Sequence, residues 1–179
     1  MPLIVETGTG ASDSEAFCSV AFADTYLANR GNTAWALLVL ADKEAAIRRA
    51  ADYMQQAYRL QWAGFRVKDT QALDWPRYDV PRSDAVGYGG NLGGYGGFKS
   101  VYPFDAVPVE VQRANAEMAL RAAAGELTED IDAPVASESV GPISVTYFQG
   151  GTKTKAYPAV DRLLAPFLQG GNSLKLVRG

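Results

Sequence analysis

The sequence predicts a mainly α fold: a helical bundle with a small β-hairpin element, a long glycine- and aromatic-rich loop, and extended termini. Three observations predict it. Asp42 to Leu60 and Val107 to Ala124 place apolar residues at helical spacing, and Ile143-Ser144-Val145-Thr146-Tyr147 alternates with the period of a strand. Hydrophobic residues make up 47% of the 179-residue chain, enough for one core of ordinary domain size.

In chain order, residues 1–15 read as a flexible arm. Leu3, Ile4 and Val5 could add a short strand to a neighbour, and the turn-rich Glu6-Thr7-Gly8-Thr9-Gly10 follows; a frayed end and an inter-subunit contact both remain open. Ser19 is a fitting cap for a first helix to about Asn29, with Phe22, Tyr26 and Leu27 at helical spacing and Gly31 to end it. Thr33 to Leu40, with Trp35, Leu37, Leu38 and Leu40, reads as a helical turn packed on the core. The strongest helix runs from Asp42, its expected N-cap, to Leu60, with Ile47, Ala50, Ala51, Met54 and Tyr58 on one stripe. Arg48 and Arg49 read as a solvated face that could also touch phosphate.

Residues 61–106 form an irregular middle. Gly64-Phe65-Arg66-Val67 suggests a short extended turn, and Leu73-Asp74-Trp75-Pro76-Arg77 an anchored loop in which Trp75 buries and Pro76 blocks a helix. Trp35, Trp75, Pro76 and Arg77 are the expected structural anchors. The run from Gly87 to Phe98 carries too many glycines for a helix or a good strand, and its aromatics suit docking. Pro108 sits near the first position of the next helix, which ends at Gly125. An acidic linker, Glu126 to Ala136, precedes the alternating strand, whose expected hairpin partner is Lys153-Thr154-Lys155. Pro158 opens a short helix to Leu164, disturbed by Pro166. The chain thus reads as one domain over 1–179, with the arm at 1–15, a loop over 78–104 and a tail over 169–179.

Histidine is absent and Cys18 is the single cysteine, which excludes His-based triads, Cys–His dyads, His-based zinc sites and an internal disulfide. Cys18 reads as a small buried hydrophobe. The net charge of −3 lacks the cationic excess of a duplex-binding surface. The N-terminus does not read as a secretory signal, and no apolar run reaches membrane-spanning length, so synthesis in a cytoplasm and no membrane partner are expected. The glycine run lacks the Gly-Lys-Ser/Thr ending of a phosphate-binding loop and the βαβ setting of a dinucleotide site. Glu129, Asp130 and Asp132 lie in a linker that reads as solvated, and Gly8-Thr9-Gly10 with Ser12 has no base beside it. No catalytic set, cofactor or metal is expected.

Tyr88, Tyr95, Phe98, Tyr102 and Phe104, near Arg77, Arg82 and Lys99, would serve as a stacking platform for single-stranded nucleic acid, as a protein interface, or as partly buried packing. Together with Leu3, Ile4 and Val5, the candidates for inter-protein contact are Tyr88, Tyr95 and Phe98 in the loop and Leu174, Leu176, Val177 and Arg178 in the tail.

Several segments carry a family resemblance: Ile4 to Gly10, Ala34-Trp35, Glu44 to Tyr58 around Arg48-Arg49-Ala50, Gln71 to Arg77, Val107-Pro108 with its helix, Gly141 to Val145, and Tyr157 to Asp161. Together they resemble the head–tail connector (adaptor) proteins of tailed bacteriophages, a group also labelled DnaT-like single-stranded-DNA-binding proteins. The resemblance spans nearly the whole chain and is strongest at Trp75-Pro76-Arg77; residues 87–98 depart from its pattern. It implies a helical bundle that forms a homo-oligomeric, dodecameric ring at the neck of the virion, between the portal protein and the tail, with DNA passing through its lumen without sequence-specific binding. A heterologous interface that closes on itself builds such a ring. The other label implies a replication protein that binds single-stranded DNA.

Overall fold

A computed structural model describes residues 2–82, 100–128, 137–140, 143–146 and 155–169. Ser19 caps helix α1 (Val20–Ala28), its side chain accepting from Phe22 N–H, and Gly31 turns the chain with a φ of 70°. A single turn, α2 (Thr33–Ala36), buries Trp35, whose Nε1 donates to Asp24 Oδ1 at 2.6 Å. Only Trp35 of that apolar stretch goes fully inward: Leu37 and Leu40, expected on the core, are 84% and 63% exposed. A four-residue helix covers the core with one large side chain and turns its neighbours outward.

Helix α3 (Leu40–Tyr58) begins two residues before Asp42. Val39 takes the cap position without a side-chain hydrogen bond, and Asp42 lies in the first turn, where its charge suits the helix dipole. The expected stripe of Ile47, Ala50, Ala51, Met54 and Tyr58 is buried. Helix α4 (Val109–Ala124) buries Val111, Ala114, Met118 and Ala122 and ends at Gly125; Pro108 is its cap residue rather than its first helical residue. Among the described residues these two helices form the largest contact between elements, and their alanines allow close approach. Helix α5 (Pro158–Leu164) packs on α4 and continues into a 3-10 turn, Ala165–Phe167. The buried Asn115 ties the layers together: its Oδ1 accepts from Phe17 N–H at 3.1 Å, and its Nδ2 donates to the Ile47 carbonyl at 3.2 Å.

Residues 2–15, which belong to the stretch expected as a flexible arm, fold back on this core. Val5 bridges Ala16 in parallel, and the Glu6 carboxylate is buried. It accepts from the N–H groups of Gly8, Gly10 and Ala11 at 2.8, 3.0 and 2.9 Å, and from the Ser14 hydroxyl at 2.9 Å. A turn rich in N–H groups needs an anion at its centre, and the chain supplies its own. Gly8, at φ 105°, is obligatory: a Cβ there would lie 2.0 Å from the Asp105 carbonyl oxygen.

Among the described residues two short antiparallel pairs join the helices. β1 (Phe65–Arg66) pairs with β2 (Arg77–Tyr78), and β3 (Ser137–Val140) pairs with β4 (Ile143–Thr146). β4 is the expected strand, but its partner precedes it; Lys153 and Thr154, the expected partner, lie outside the described residues.

Candidate nucleic-acid interface

The β1–β2 pair is placed by buried polar side chains. Gln71 is buried, and its Nε2 donates to the carbonyls of Leu73 and Pro76 at 2.7 and 3.1 Å while its Oε1 accepts from Lys68 N–H at 2.9 Å. Arg66 donates to the Gln71 carbonyl. The Trp75–Pro76 peptide is cis, and Trp75 is fully buried. Arg77 is also buried; it donates to the carbonyls of Ala63, Gly64 and Asp74 at 2.8, 2.7 and 3.2 Å. Its planar fork thereby holds the chain entering β1 against the chain entering β2. Gly64, at φ 66°, lets the strands close: a Cβ there would meet the Tyr78 carbonyl at 2.3 Å.

This frame sets Phe65 directly opposite Tyr78. Their rings lie 5.5 Å apart at 30°, and the residues are 60% and 47% exposed. Two large rings in mutual contact and open to solvent form a ready stacking surface.

A second aromatic arrangement lies next along the chain. Val80 is buried, Pro81 bridges Val101, and Arg82 N–H donates to the Ser100 carbonyl at 2.8 Å. The two ends of the expected loop over 78–104 are thus paired. From the interior, ring contacts run from Tyr58 to Trp62 (6.0 Å), Trp75 (5.8 Å), Phe167 (5.5 Å) and Tyr102 (4.7 Å). The exposed Arg82 sets its guanidinium carbon 4.6 Å above the Tyr102 ring and ends the series.

The electrostatics are mixed. Lys68, Arg59 and Arg82 are exposed in this part of the chain, as are Asp69 and Asp79. Burial pushes the Asp74 carboxyl above its ordinary value, while the charges of Arg59, Arg77 and Arg66 pull it back. The Trp62 indole also pulls it down from just outside hydrogen-bond geometry; among the described residues neither Asp74 oxygen has a hydrogen-bond partner. Burial lowers the Arg77 pKa, opposed by Asp74.

The expected anchors Trp35, Trp75, Pro76 and Arg77 are all buried. Arg77 is therefore not a nucleic-acid contact: every donor it uses faces a backbone carbonyl. Tyr102 packs on Phe167 and carries Arg82, and Phe104 is 60% exposed. Of the other interface candidates, Val5 is held by its bridge to Ala16, Leu3 is half-buried against the core and Ile4 is 37% exposed. Tyr88, Tyr95, Phe98, Lys99, Leu174, Leu176, Val177 and Arg178 lie outside the described residues. Arg48 is paired with Glu15 at 2.9 Å and Glu44 at 3.8 Å, while Arg49 is exposed. Cys18 is 1% exposed, and burial pushes its thiol up to about 12, as suits a packing residue.

The sequence reading did not single out the Phe65–Tyr78 pair. Each strand is two residues long, too short for alternation to show; the available signal was an aromatic on each side of the Trp-Pro-Arg segment. Among the described residues no group of three or more potential metal ligands occurs.

A family model described as "Putative DnaT-like ssDNA binding protein" matches residues 1–179. No curated protein and no solved structure matches the chain.

Proposed function

This chain belongs to the DnaT-like ssDNA-binding family, and from that premise we propose that it is a non-enzymatic module that binds single-stranded DNA by stacking bases on the Phe65–Tyr78 pair. The observation that carries this reading is the exposure of two touching rings on a strand pair braced by Arg77 and Gln71. Rings 5.5 Å apart leave no room for a base between them, so bases stack on the outer faces. The net charge of −3 assigns most of the affinity to stacking and little to phosphate neutralisation.

The test is an anisotropy titration of oligo-dT across a series of salt concentrations. Binding is expected with a log–log salt slope of roughly −1.4 to −2.1, corresponding to two or three phosphate contacts. Replacing both Phe65 and Tyr78 by Ala should weaken it by at least tenfold. Wild-type protein that binds no oligonucleotide at low salt would refute the reading.

A second reading, the head–tail adaptor at the neck of a virion, is favoured by a different observation. Leu37, Val39 and Leu40 are 84%, 63% and 63% exposed at one end of α3, and Leu60 is 92% exposed just past the other. The helix between them has 19 residues, about 28 Å of length. Apolar surface at two opposite ends suits head-to-tail association of copies, the geometry that closes into rings. The portal and the tail as partners come from the resemblance. Imaging the protein mixed with the portal of the same phage decides: stacked rings lost on Leu37→Glu would establish this role, and no association would remove it.

A further inference from the structure

We propose that Arg82 is a second base-stacking position of the same strand-binding site, presenting its guanidinium plane to an unpaired base next to the one held by Phe65 and Tyr78. This rests on the single-stranded-DNA reading and extends it from one platform to a two-position site.

The argument begins with what holds Arg82. Its backbone N–H is fixed to the Ser100 carbonyl at 2.8 Å, and its guanidinium sits 4.6 Å over the Tyr102 ring. Tyr102 rests on the fully buried Phe167 at 4.7 Å, and Phe167 on the fully buried Trp75 at 5.5 Å. A long cationic side chain is ordinarily free to sample many rotamers, and ordering it costs binding energy. Here the guanidinium already lies over a ring that itself packs on the core. A guanidinium held over a ring, on an exposed residue, is planar, cationic and partly open to solvent. Nucleobases stack on such planes, and the charge adds attraction for the strand.

Position favours a link with the first platform. Tyr78 and Arg82 are four residues apart, so at most about 13 Å of chain separates them, a distance one short oligonucleotide bridges. Asp79, at φ 59°, bends that segment and shortens it further.

The experiment separates stacking from charge. Arg82→Lys keeps the charge on a flexible stem but removes the plane. Oligo-dT titrations by anisotropy would compare wild type, Arg82→Lys and the Phe65→Ala/Tyr78→Ala double variant. An abasic position would be walked along the oligonucleotide for each. Arg82→Lys is expected to weaken binding about tenfold with an unchanged salt slope. Wild type should be sensitive to abasic substitution at two positions, and Arg82→Lys at one. If Arg82→Lys binds within twofold of wild type, or the two abasic profiles match, Arg82 is no stacking position, while a loss in the Phe65/Tyr78 variant would keep the first platform standing. If wild type binds no oligonucleotide, both readings fall together.

Discussion

Arg77 and Tyr78 are the two residues of one strand, and the fold uses them in opposite ways. The cation goes inward, where its donors meet three carbonyls and the oxygens of Asp74 share its burial; the aromatic goes outward, with Phe65 beside it. Alternation along a strand sends neighbours to opposite sides, so one residue builds the frame and the next presents the surface. Residue type alone would assign them the other way round: arginine for phosphate, tyrosine for core. A side chain's role follows from which groups near it lack partners. Without Arg77 the carbonyls of Ala63 and Asp74 would lose their donor in the interior, and that of Gly64 at its margin.

The largest expected effect tests the inward member. Arg77→Ala removes three hydrogen bonds to backbone carbonyls and takes away one of the three cations, Arg59, Arg77 and Arg66, whose charges offset the burial of Asp74. Leaving a buried acceptor without its donor costs about 1–3 kcal/mol, so losing several at once amounts to roughly 3–5 kcal/mol. Urea unfolding should show that loss, and Arg77→Lys should recover only part of it, because an ammonium cannot span three carbonyls in one plane. If Arg77→Ala is as stable as wild type and instead loses DNA, the comparison is inverted.

The outward member comes next. Phe65→Ala with Tyr78→Ala should reduce affinity for single strands by about 2 kcal/mol while changing unfolding free energy by under about 1 kcal/mol. Equal losses in both measurements would show the ring pair to be packing rather than a contact surface.

How much of this was legible follows from length and period. Helix α3 repeats its burial pattern over 19 residues, so Ile47, Ala50, Ala51, Met54 and Tyr58 announce the core face in the sequence. Helix α4 does the same. The boundaries were less legible: Val39, an apolar residue, takes the cap position with no side-chain hydrogen bond, so no capping residue marks the start of α3 in the sequence. Leu37 and Leu40 looked like core because hydrophobicity states a preference for burial but not whether a facing surface exists. Phe65 and Tyr78 were not legible as a pair, since only the 68–76 loop, folded by Gln71 and Arg77, brings residues 13 apart in sequence into register. The arm was misread because Glu6 looks like a surface acid until the N–H groups of Gly8, Gly10 and Ala11 are seen to converge on it.

Glu6 therefore gives a third, smaller test, in which the frame logic of Arg77 recurs with opposite charge. Burial raises its pKa, but the Ser14 hydroxyl and the N–H groups of Ala11, Gly8 and Gly10 outweigh that, and the net shift is downward. A depressed folded-state pKa contributes stability that is fully present above the unfolded value, about 4.3, and is lost as pH falls through the folded value. Wild type should thus lose stability on acidification below about pH 4.3. Glu6→Gln should be less stable at pH 7 by about 2 kcal/mol, with a flatter acid limb, as read by urea midpoints at each pH. An acid limb as steep in Glu6→Gln as in wild type would assign the pH dependence to other carboxylates.

The smallest effect is a probe of the interior itself. Cys18 is 1% exposed, its thiol lies 3.5 Å from Asn115 Oδ1, and its pKa is pushed up to about 12 by burial. The thiolate is the reactive species, so at pH 8 only about one part in ten thousand is available even before access is considered. Alkylation of the native protein should be far slower than that of the urea-unfolded chain, and it should proceed through opening of the fold. The Phe65/Tyr78 variant should leave this rate unchanged, because the ring pair lies on the surface. Arg77→Ala should raise it, because loss of global stability increases the population of open states. Mass spectrometry of a timed iodoacetamide reaction reads both, and a faster rate in the Phe65/Tyr78 variant would mean that the exposed face is part of what holds the core closed.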